Sequence, residues 1–559
     1  MVAGRLSTSL MLINKLDLPF GQPLADTYIE RKNPALEQLF GYHPSVAEHW
    51  QRRLIYLKDS AVNRADSRKG AEALRSFQER FGLSAAAERN LQLLADGAPV
   101  IVGGQQAVLW TGPLMILYKA VTIIQAAATA SRELGVPVVP VFWIAGEDHD
   151  WAEASVTSLP SAGPKPELAR LSVARPVGPA TSVSRTVLGP EAVENAIAEL
   201  EAALADSPHK HELLKELREA ATGCNTLTEL FAAMLSRLFA DSGLLLAEAD
   251  NPHLRIVEGP MFKRIIESSE ELSQAYTRST RRVEELGYKP QVEVDEDGAN
   301  LFLFAEGPRV GERLLLQRSG ERFRDRRGLV SLSKQELLEL ADSSPERLSN
   351  NVLTRPLMQD YLFPVLSTVL GPGEIAYWAQ TEEAFRTLGM EMPIITPRLS
   401  FTLLEPHADK AMKEFSLSLH QVLQGLDGCR QEFLDRQGAA VICGVFEDAL
   451  AAMGEAYQPA LLLATDQERG LEELGRTNWE RIAREAEYLK VKALQALETR
   501  ERTMLDRIAA LELSVAPEGR PQERMLSSIY FLNRYGRGWL DRLQLEQYEP
   551  CGGHKLVRL

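Results

Sequence analysis

Four side chains that can move protons or hold cations follow one another in the sequence: Glu147, Asp148, His149 and Asp150. They directly follow an apolar segment that predicts a buried strand, and parallel strands present ligands to their carboxyl ends. A neutral imidazole can take a proton from an attacking amine, and carboxylates can hold an ammonium group or a Mg²⁺ ion. We therefore interpret this stretch as a catalytic edge. The alternative is that alternate side chains point to opposite faces and that His149 only packs.

A glycine-containing turn between a predicted strand and a predicted helix is the second candidate site. Pro113 is typical of a first helical turn, and a helix start offers free backbone N–H groups to a phosphate or a carboxylate. Most such turns bind nothing, so the prediction depends on the acidic strand end, which a βαβ unit brings to the same edge of the sheet. The residues predicted to bind substrate or nucleotide here are Gly104, Gln105, Gln106, Thr111, Gly112 and Tyr118.

Polar residues around a later strand form the third candidate site. Glu374 lies in the first turn of a predicted helix, where it can bind a substrate amine or cap the helix. Arg355 and Arg398 can bind carboxylates or phosphates, and surface ion pairing is the alternative explanation for both. The residues predicted to contact substrate in this region are Asn351, Arg355, Glu374, Tyr377, Gln380 and Arg398.

The elements around these residues alternate between apolar strands and amphipathic helices, which predicts a Rossmann-like, doubly wound parallel sheet of the α/β class. The predicted strands are 98–102, 136–145, 243–248, 365–370 and 393–396. The predicted helices are 113–132, 231–239, the segment after Pro252 and the segment from 371 to 385.

Two insertions and a helical region are predicted to interrupt and follow this core. The first insertion has short strands and then helices, and the second has the alternating pattern of antiparallel hairpins. The predicted segments are an N-terminal part of the core (1–154), a first insertion or connecting peptide (155–221), core (222–287), a second insertion of β-hairpins (288–349), core (350–407), a helical coiled-coil region (408–515) and a C-terminal helical tail that returns to the core (516–559).

Long charged helices are predicted over 408–436 and 467–513. In the second of these, Ile482, Ala486, Leu489 and Ala493 follow a coiled-coil spacing, and the pattern resumes at Leu497 after an extra step of four. The pattern favours equally a helical hairpin folded on its own chain and a seam shared with a second subunit. The second interpretation predicts a homodimer whose subunits pair through the coiled coil.

Composition excludes several classes of protein. The formal net charge of −15 makes contact with a phosphate backbone unfavourable, so nucleic acid is not an expected partner. No apolar stretch is long enough to span a bilayer, and the first 16 residues lack a continuous apolar segment, so we expect a cytoplasmic protein without a membrane partner. The four cysteines have no C-x-x-C spacing, so we expect neither disulfides nor zinc.

Several motifs of this chain resemble the BshC family, the cysteine ligases of bacillithiol biosynthesis. The motifs are Gly104-Gln105-Gln106, Thr111-Gly112-Pro113-Leu114, Tyr118-Lys119, Phe142-Trp143-Ile-Ala-Gly-Glu-Asp-His-Asp150, Arg355-Pro356, Gln359-Asp360-Tyr361 and Gly371-Pro-Gly-Glu-Ile-Ala-Tyr377. The resemblance implies a nucleotidyltransferase-like Rossmann core with two connecting peptides and a coiled coil that pairs subunits. More distantly, the first unit resembles class I aminoacyl-tRNA synthetases, with Tyr118 where their motif has its second histidine.

The resemblance also implies the reaction: the carboxyl of L-cysteine is joined to the amine of glucosaminyl-malate to form bacillithiol. Since joining a carboxylate to an amine in water is uphill, the acid has to be activated, and we expect ATP, accompanied by Mg²⁺, to do so. Two alternatives remain open. One is a different adenylate-forming or nucleotidyl-transferring enzyme, and the other is a non-catalytic coiled-coil assembly factor whose core only binds a ligand.

Overall fold

The computed structural model describes residues 13–16, 18–306 and 310–559. The start of the predicted N-terminal core segment (1–12 and residue 17) and residues 307–309 of the second predicted insertion lie outside the described residues. The chain divides into two compact units. The first unit comprises the residues up to Ala162 together with Leu168–Leu403 and Gln522–Leu559, and the second comprises Gly163–Glu167 and Leu404–Pro521.

The strands of the described chain are β1 (Ile13–Leu16), β2 (Val100–Gln105), β3 (Val139–Ile144), β4 (Val156–Pro160), β5 (Leu168–Ser172), β6 (Leu245–Glu248), β7 (Gly298–Phe304), β8 (Arg313–Ser319), β9 (Arg322–Asp325), β10 (Ser331–Ser333), β11 (Leu348–Asn350), β12 (Val365–Leu370), β13 (Ile394–Pro397), β14 (Ser400–Leu404) and β15 (His554–Arg558).

The α-helices are α1 (Pro23–Ile29), α2 (Pro34–Phe40), α3 (Ala47–Asp59), α4 (Ser67–Gln78), α5 (Ala85–Ala95), α6 (Met115–Leu134), α7 (Trp151–Ala154), α8 (Pro190–Ala203), α9 (Lys210–Ala221), α10 (Leu227–Leu238), α11 (Pro252–Glu267), α12 (Ser269–Glu285), α13 (Lys334–Ser343), α14 (Arg355–Leu362), α15 (Pro372–Trp378), α16 (Glu382–Thr387), α17 (Pro406–Glu414), α18 (Leu419–Leu423), α19 (Asp427–Arg436), α20 (Ala439–Gln467), α21 (Leu471–Arg500), α22 (Arg502–Val515), α23 (Gln522–Met525), α24 (Ser528–Tyr535) and α25 (Gly538–Leu545).

A five-stranded parallel sheet in the order β13-β12-β2-β3-β6 forms the centre of the first unit. Its strands are apolar and almost entirely buried, as expected where helices cover both faces of a sheet. The chain runs outward from β2 in both directions, so the order reverses between β2 and β12. The predicted doubly wound sheet is confirmed, and this reversal point is where ligands bind in such folds.

Strand β2 is longer than the sequence pattern indicated. Gly103, Gly104 and Gln105 pair in register with Phe142, Trp143 and Ile144 of β3, so they belong to the sheet and not to a turn. Close packing explains the glycine at position 103, because a Cβ there would lie 2.9 Å from Ile123 Cδ1 of α6 and 3.0 Å from the Val369 carbonyl oxygen. The predicted turn over these residues is therefore wrong, and glycine is needed for close packing.

Strands are present in both predicted insertions, and the antiparallel pairing predicted for the second is confirmed. In the first, β4 pairs with β5, and helices α8 and α9 follow. The second forms a five-stranded antiparallel sheet in the order β10-β9-β8-β7-β11. A third sheet, β1-β15-β14, includes the last strand of the chain, which the sequence pattern did not predict.

The second unit is helical, but its helices are shorter and more numerous than predicted. The expected helix over 408–436 is divided into α17, α18 and α19, because Ser418 caps α18 and Gly425 adopts a φ of +104°. The expected helix over 467–513 is divided into α21 and α22, and α20 was not predicted. Helices α20 and α21 pack together, with Tyr457 stacked on Trp479. Among the described residues, no helix is both long and apolar enough to cross a membrane.

Candidate active site

A cavity of about 200 Å³ lies where β2, β3 and β12 end, at the reversal point of the central sheet. Its wall contains backbone and side chains from three strand ends and from the starts of α14 and α15. The structure thereby brings together part of all three predicted clusters. The predicted residues that line the cavity are Gly104, Gln105, Gln106, Asp148, Arg355, Glu374 and Tyr377.

A buried lysine that was not predicted as a site residue orders one wall of this cavity. Lys119 of α6 donates hydrogen bonds to the Gly104 carbonyl oxygen (2.6 Å), Gln105 Oε1 (3.1 Å) and Glu374 Oε2 (2.6 Å). These three bonds use all the donors of its ammonium group. Burial lowers the pKa of Lys119, and the neighbouring Glu374 opposes that change. Its position within the otherwise apolar start of α6 was the sequence signal that could have identified it.

Glu374 also holds the strand end to the helix that follows. Its Oε2 accepts the backbone N–H of Gly371 at 2.6 Å, which is the capping role considered as the alternative. The side chain is 28% exposed, so the carboxylate still reaches the cavity. Capping and substrate contact are therefore compatible at this residue.

Glu147 is fully buried behind the cavity and does not line it. Its Oε2 accepts hydrogen bonds from Arg255 Nη2 (2.6 Å) and Ser349 Oγ (2.8 Å), and its Oε1 lies 3.5 Å from Arg355 Nε. Burial by itself raises the pKa of Glu147, but Arg255, Arg355 and Arg313 lower it to about 2. The expectation that Glu147 orients a substrate ammonium is thus corrected, because its carboxylate is used to position arginines.

Three arginines, Arg255, Arg313 and Arg355, surround Glu147. Arg255 also bonds Glu258 at 2.7 Å, and burial raises the pKa of Glu258 to about 7. Burial lowers the pKa of Arg313 to about 10, with Glu147 opposing that change. Arg355 is the member of this group that reaches the cavity. The cavity wall therefore has one guanidinium, that of Arg355, together with the carboxylates of Asp148 and Glu374.

The other three residues of the acidic strand end differ in exposure. Asp148 lines the cavity, and His149 is 55% exposed with its Nδ1 3.5 Å from Asp148 Oδ1. The backbone N–H of His149 also donates to Asp148 Oδ1 at 2.7 Å. Asp150 accepts a hydrogen bond from the Glu153 N–H at 3.0 Å and caps α7. Its carboxylate therefore has a structural role in place of the predicted catalytic one.

The predicted phosphate-binding site at Thr111 and Gly112 is occupied by other residues of the protein. Thr111 is buried with its Oγ1 2.7 Å from Ser528 Oγ, and the Leu114 N–H donates to the Leu526 carbonyl oxygen. A Cβ at Gly112 would lie 2.8 Å from the Val108 side chain. These two residues do not fit a nucleotide phosphate, which corrects that prediction. The physical reason is that the C-terminal segment occupies the helix start.

Four further predicted residues make structural contacts outside the cavity wall. Tyr118 is buried, with its ring centroid 4.9 Å from that of Phe401. Asn351 accepts the N–H groups of Leu353 and Thr354. Gln380 bonds to the backbone of 291 and 292 and to Thr280. Arg398 binds both carboxylate oxygens of Glu523, at 3.0 and 2.6 Å. The prediction that these side chains contact substrate is corrected, because their polar groups have partners within the protein or, for Tyr118, are enclosed in the core.

Within the described part of the chain, no group of three or more His, Cys, Asp or Glu side chains is arranged to hold a metal ion. Asp148 and Glu374 are carboxylates of the cavity wall that could contact a Mg²⁺ ion brought by a nucleotide. The four cysteines are free thiols.

Comparison with known proteins gives matches over nearly the whole chain. The family model described as "Bacillithiol biosynthesis BshC, N-terminal Rossmann-like domain" matches residues 11–399, and the "C-terminal coiled-coil domain" of the same family matches residues 401–559. Proteins from Geobacillus thermodenitrificans and Geobacillus kaustophilus are each 36% identical over 551 residues, and one from Bacillus velezensis is 31% identical over 553. All three carry the name "Putative cysteine ligase BshC", and each match covers 98% of this chain and 100% of the relative.

A solved structure titled as an arginyl-tRNA synthetase from Campylobacter jejuni aligns with 80% of this chain and 99% of its own, at 10% identity and a TM-score of 0.18. A similarity at that TM-score supports no conclusion about this protein.

Proposed function

Because the chain belongs to the BshC family of bacillithiol biosynthesis, we propose that it joins the carboxyl group of L-cysteine to the amine of glucosaminyl-malate. The name of its relatives supports cysteine as the acid. The observation that carries the proposal is the cavity at the reversal point, where the guanidinium of Arg355 and the carboxylates of Asp148 and Glu374 line one wall. That set matches a ligand with both carboxylate and ammonium groups.

Arg355 is proposed to bind a carboxylate of the malate group. A guanidinium binds carboxylates through two parallel hydrogen bonds, and its affinity is greatest where water is excluded. Arg355 is 22% exposed, and Glu147 lies beside its Nε. Glu147 therefore holds the guanidinium in place and leaves the terminal nitrogens for the substrate.

Asp148 and His149 are proposed to act together on the amine. Asp148 reaches the cavity, where it can hold the substrate ammonium beside Glu374, and His149 lies next to Asp148 at the exposed side. The nitrogen must lose a proton before it attacks the carbonyl carbon, and an imidazole is a suitable acceptor at neutral pH. His149 is accordingly the proposed base, with Asp148 positioning both the amine and the ring.

Activation of the cysteine carboxyl is proposed to use ATP, since amide formation from a free carboxylate in water is uphill. Thr111 and Gly112 do not provide the phosphate contacts, so no step of the reaction is assigned to them. The cavity of about 200 Å³ is large enough for a carboxyl group and the atoms bonded to it, and it is smaller than the pockets that typically enclose a whole drug-sized ligand.

The decisive experiment incubates the pure protein with L-cysteine, glucosaminyl-malate and ATP and detects the thiol product by mass. We expect product only when all three compounds are present, with ADP or AMP released in equal amount. His149→Ala should lose most turnover while its thermal unfolding is unchanged, and a fully active His149→Ala would exclude the proposed base. ATP–pyrophosphate exchange with an acid other than cysteine would instead favour another adenylate-forming enzyme. Nucleotide binding without consumption would favour an assembly factor.

We propose that the protein acts as a homodimer joined through its coiled coil and that it works in the cytoplasm. Apolar residues on the surface of α20 and α21 support the first statement, among them Val441, Val445 and Leu489, each at least 60% exposed. The four unpaired thiols support a reducing compartment.

A further inference from the structure

Two uncharged polar side chains of the candidate active-site cavity have no role in the reaction proposed above. Gln359 of α14 and Thr368 of β12 both line the cavity. They are only 5% and 1% exposed. Within the described chain, neither the side-chain amide of Gln359 nor the hydroxyl of Thr368 forms a hydrogen bond with another residue. Both groups are therefore free to bind a ligand.

The polar atoms of Gln359 and Thr368 can be reached from the cavity. Other unpaired polar atoms, such as the Tyr118 hydroxyl and Trp143 Nε1, are enclosed in the core without accessible surface. The Gln359 amide and the Thr368 hydroxyl are not among these enclosed atoms, so both keep accessible surface. Because the two residues are otherwise buried and line the cavity, that surface faces the cavity. Buried polar groups are normally paired, so these two point to a group on the ligand.

The fold places these two side chains beside the guanidinium of the cavity. Arg355 and Gln359 are four residues apart on α14, so they lie on the same face of the helix, with Cβ atoms about 5–6 Å apart. Thr368 belongs to the central sheet, where it pairs with Val102 of β2. The amide is therefore next to Arg355, and the hydroxyl lies at the base of the same small cavity.

The hydrogen-bonding capacity of the wall indicates what this group on the ligand is. Arg355 provides a cation for a carboxylate, and Asp148 and Glu374 provide anions for an ammonium group. Gln359 and Thr368 are uncharged, and each can both donate and accept a hydrogen bond. They therefore match an uncharged oxygen atom, that of a hydroxyl or an ether. Because Gln359 is next to Arg355, that oxygen lies close to the carboxylate of the ligand.

We propose that Gln359 and Thr368 bind an oxygen substituent on the carbon atom next to the ligand's carboxylate, and that they make the cavity selective for acids that carry it. The amide and the hydroxyl donate to this oxygen while Arg355 holds the carboxylate. The proposal rests on the proposed function in assigning the carboxylate to Arg355. In glucosaminyl-malate the oxygen is the one that joins the malate to the sugar, since malate has a single hydroxyl group.

The test measures the binding of two small zwitterions to the full chain by calorimetry and ligand-detected NMR. Isoserine, 3-amino-2-hydroxypropanoate, has a carboxylate, an ammonium group and a hydroxyl on the carbon next to the carboxylate. β-Alanine, 3-aminopropanoate, differs from it only in lacking that hydroxyl. We expect the wild-type protein to bind isoserine about tenfold more tightly than β-alanine, because β-alanine leaves the amide and the hydroxyl of the protein unpaired.

Gln359→Met and Thr368→Val keep the approximate size of each side chain and remove its hydrogen bonds. Each should weaken isoserine binding about fivefold and leave β-alanine binding within about twofold of wild type. Thr368→Ser retains the hydroxyl and should keep the wild-type preference for isoserine. Exposed Gln51→Met is the matched control and should also keep it. Arg355→Ala should weaken the binding of both probes, since both carboxylates are bound by Arg355.

Equal binding of the two probes by the wild-type protein, or no binding of isoserine, would overturn the proposal. An unchanged preference in folded Gln359→Met and Thr368→Val proteins would do so as well. Thermal unfolding establishes that each variant is folded, and the wild-type comparison tests the proposal even if a variant is not. The thiol-product assay tests the reaction separately. A preference for isoserine without thiol product would support this binding role and contradict the reaction, whereas thiol product with equal binding of the probes would do the opposite.

Discussion

At the scale of single residues, burial separates the acidic side chains that the sequence places together. Glu147 is enclosed and paired with Arg255, whereas Asp148 reaches a cavity and His149 lies in solvent. A buried carboxylate that has lost its hydration must keep a cation beside it, so Glu147 serves structure while its neighbour remains free for a ligand. Adjacent residues therefore have different functions because the strand end turns them toward different environments.

The buried Glu147 should make stability depend on pH. Its folded-state pKa of about 2 lies below the usual value of 4.5, so its contribution is present above pH 4.5 and is lost as the pH falls toward 2. The full contribution is about 3 kcal/mol, of which about 2 kcal/mol should be lost between pH 5 and pH 3. Urea unfolding should show Glu147→Gln less stable than wild type at pH 5, with the difference reduced at pH 3. For exposed Glu271→Gln we expect no such change, and a pH-independent difference for Glu147→Gln would contradict the assignment.

Lys119 and Glu374 should be coupled, because they share a 2.6 Å ion pair at the cavity wall. Lys119→Met leaves the Glu374 carboxylate, the Gly104 carbonyl and Gln105 Oε1 without their shared donor, and Glu374→Gln removes the charge from the other side. A double-mutant cycle in unfolding free energy should give a coupling of about 1–3 kcal/mol. Turnover should fall in Lys119→Met, since the wall loses its order. Additive effects of the two substitutions would show that the pair is not coupled.

At the scale of elements, the turn before α6 has a strained backbone and is covered by residues from the C-terminal part of the chain. Trp110, Thr111 and Gly112 all have positive φ, between +54° and +60°. The C-terminal residues 526–528 lie against this turn through the Leu114–Leu526 backbone bond and the Thr111–Ser528 contact. Residues 526–528 thus stabilise a strained backbone conformation. An isolated βαβ unit would lack these contacts.

The glycines at the two ends of α6 should differ in their tolerance of alanine. Gly112 has φ 60° and ψ −151°, and a Cβ there would overlap Val108, so Gly112→Ala should cost about 2–5 kcal/mol. Gly135 has φ 66° and ψ 21° with nothing within 4 Å of the added Cβ, so Gly135→Ala should cost only about 1–2 kcal/mol. Chemical unfolding of both variants measures the difference. Equal costs would mean that the crowding at Gly112 is relieved by local movement.

At the scale of the whole molecule, the second unit is the proposed site of subunit pairing. The paired face of α20 and α21 uses residues such as Tyr457 and Trp479, while other apolar residues on the same helices lie on the surface. Leu489, predicted to belong to the seam, is 60% exposed within the single chain. Apolar residues that repeat on an exposed helix surface favour association with another helix.

Charge placed on that surface should separate the subunits. We expect wild-type protein to sediment as a dimer and a Val445→Glu, Leu489→Glu double variant to sediment as a monomer, because unpaired carboxylates cannot be buried in an apolar seam. Leu545→Glu is the control, since Leu545 is 86% exposed on a helix of the first unit and should leave the mass unchanged. Monomeric wild-type protein, or a dimeric double variant, would exclude pairing through this surface.

The sequence by itself determined the class of fold and the edge at which to look for a site. The strand over 365–370 was predicted to its end residues, and the apolar pattern of 136–145 placed Glu147 to Asp150 at the carboxyl end of a parallel strand. These features depend on local hydrophobic periodicity, which the sequence states directly. The motifs that resemble the BshC family carried the remaining expectations about chemistry.

Only the tertiary structure decided which polar residues face a cavity. Arg355 and Arg398 have the same side chain near the ends of core elements, yet Arg355 lines the cavity while Arg398 binds Glu523, which lies 125 residues farther along the chain. Thr111 is likewise in contact with a distant residue, because its hydroxyl is hydrogen-bonded to that of Ser528. The local sequence around either residue does not indicate a partner so distant in the chain. Such a pair forms only when the fold brings the two segments together. Burial and pairing, which set the charge and reach of each group, are properties of the folded chain.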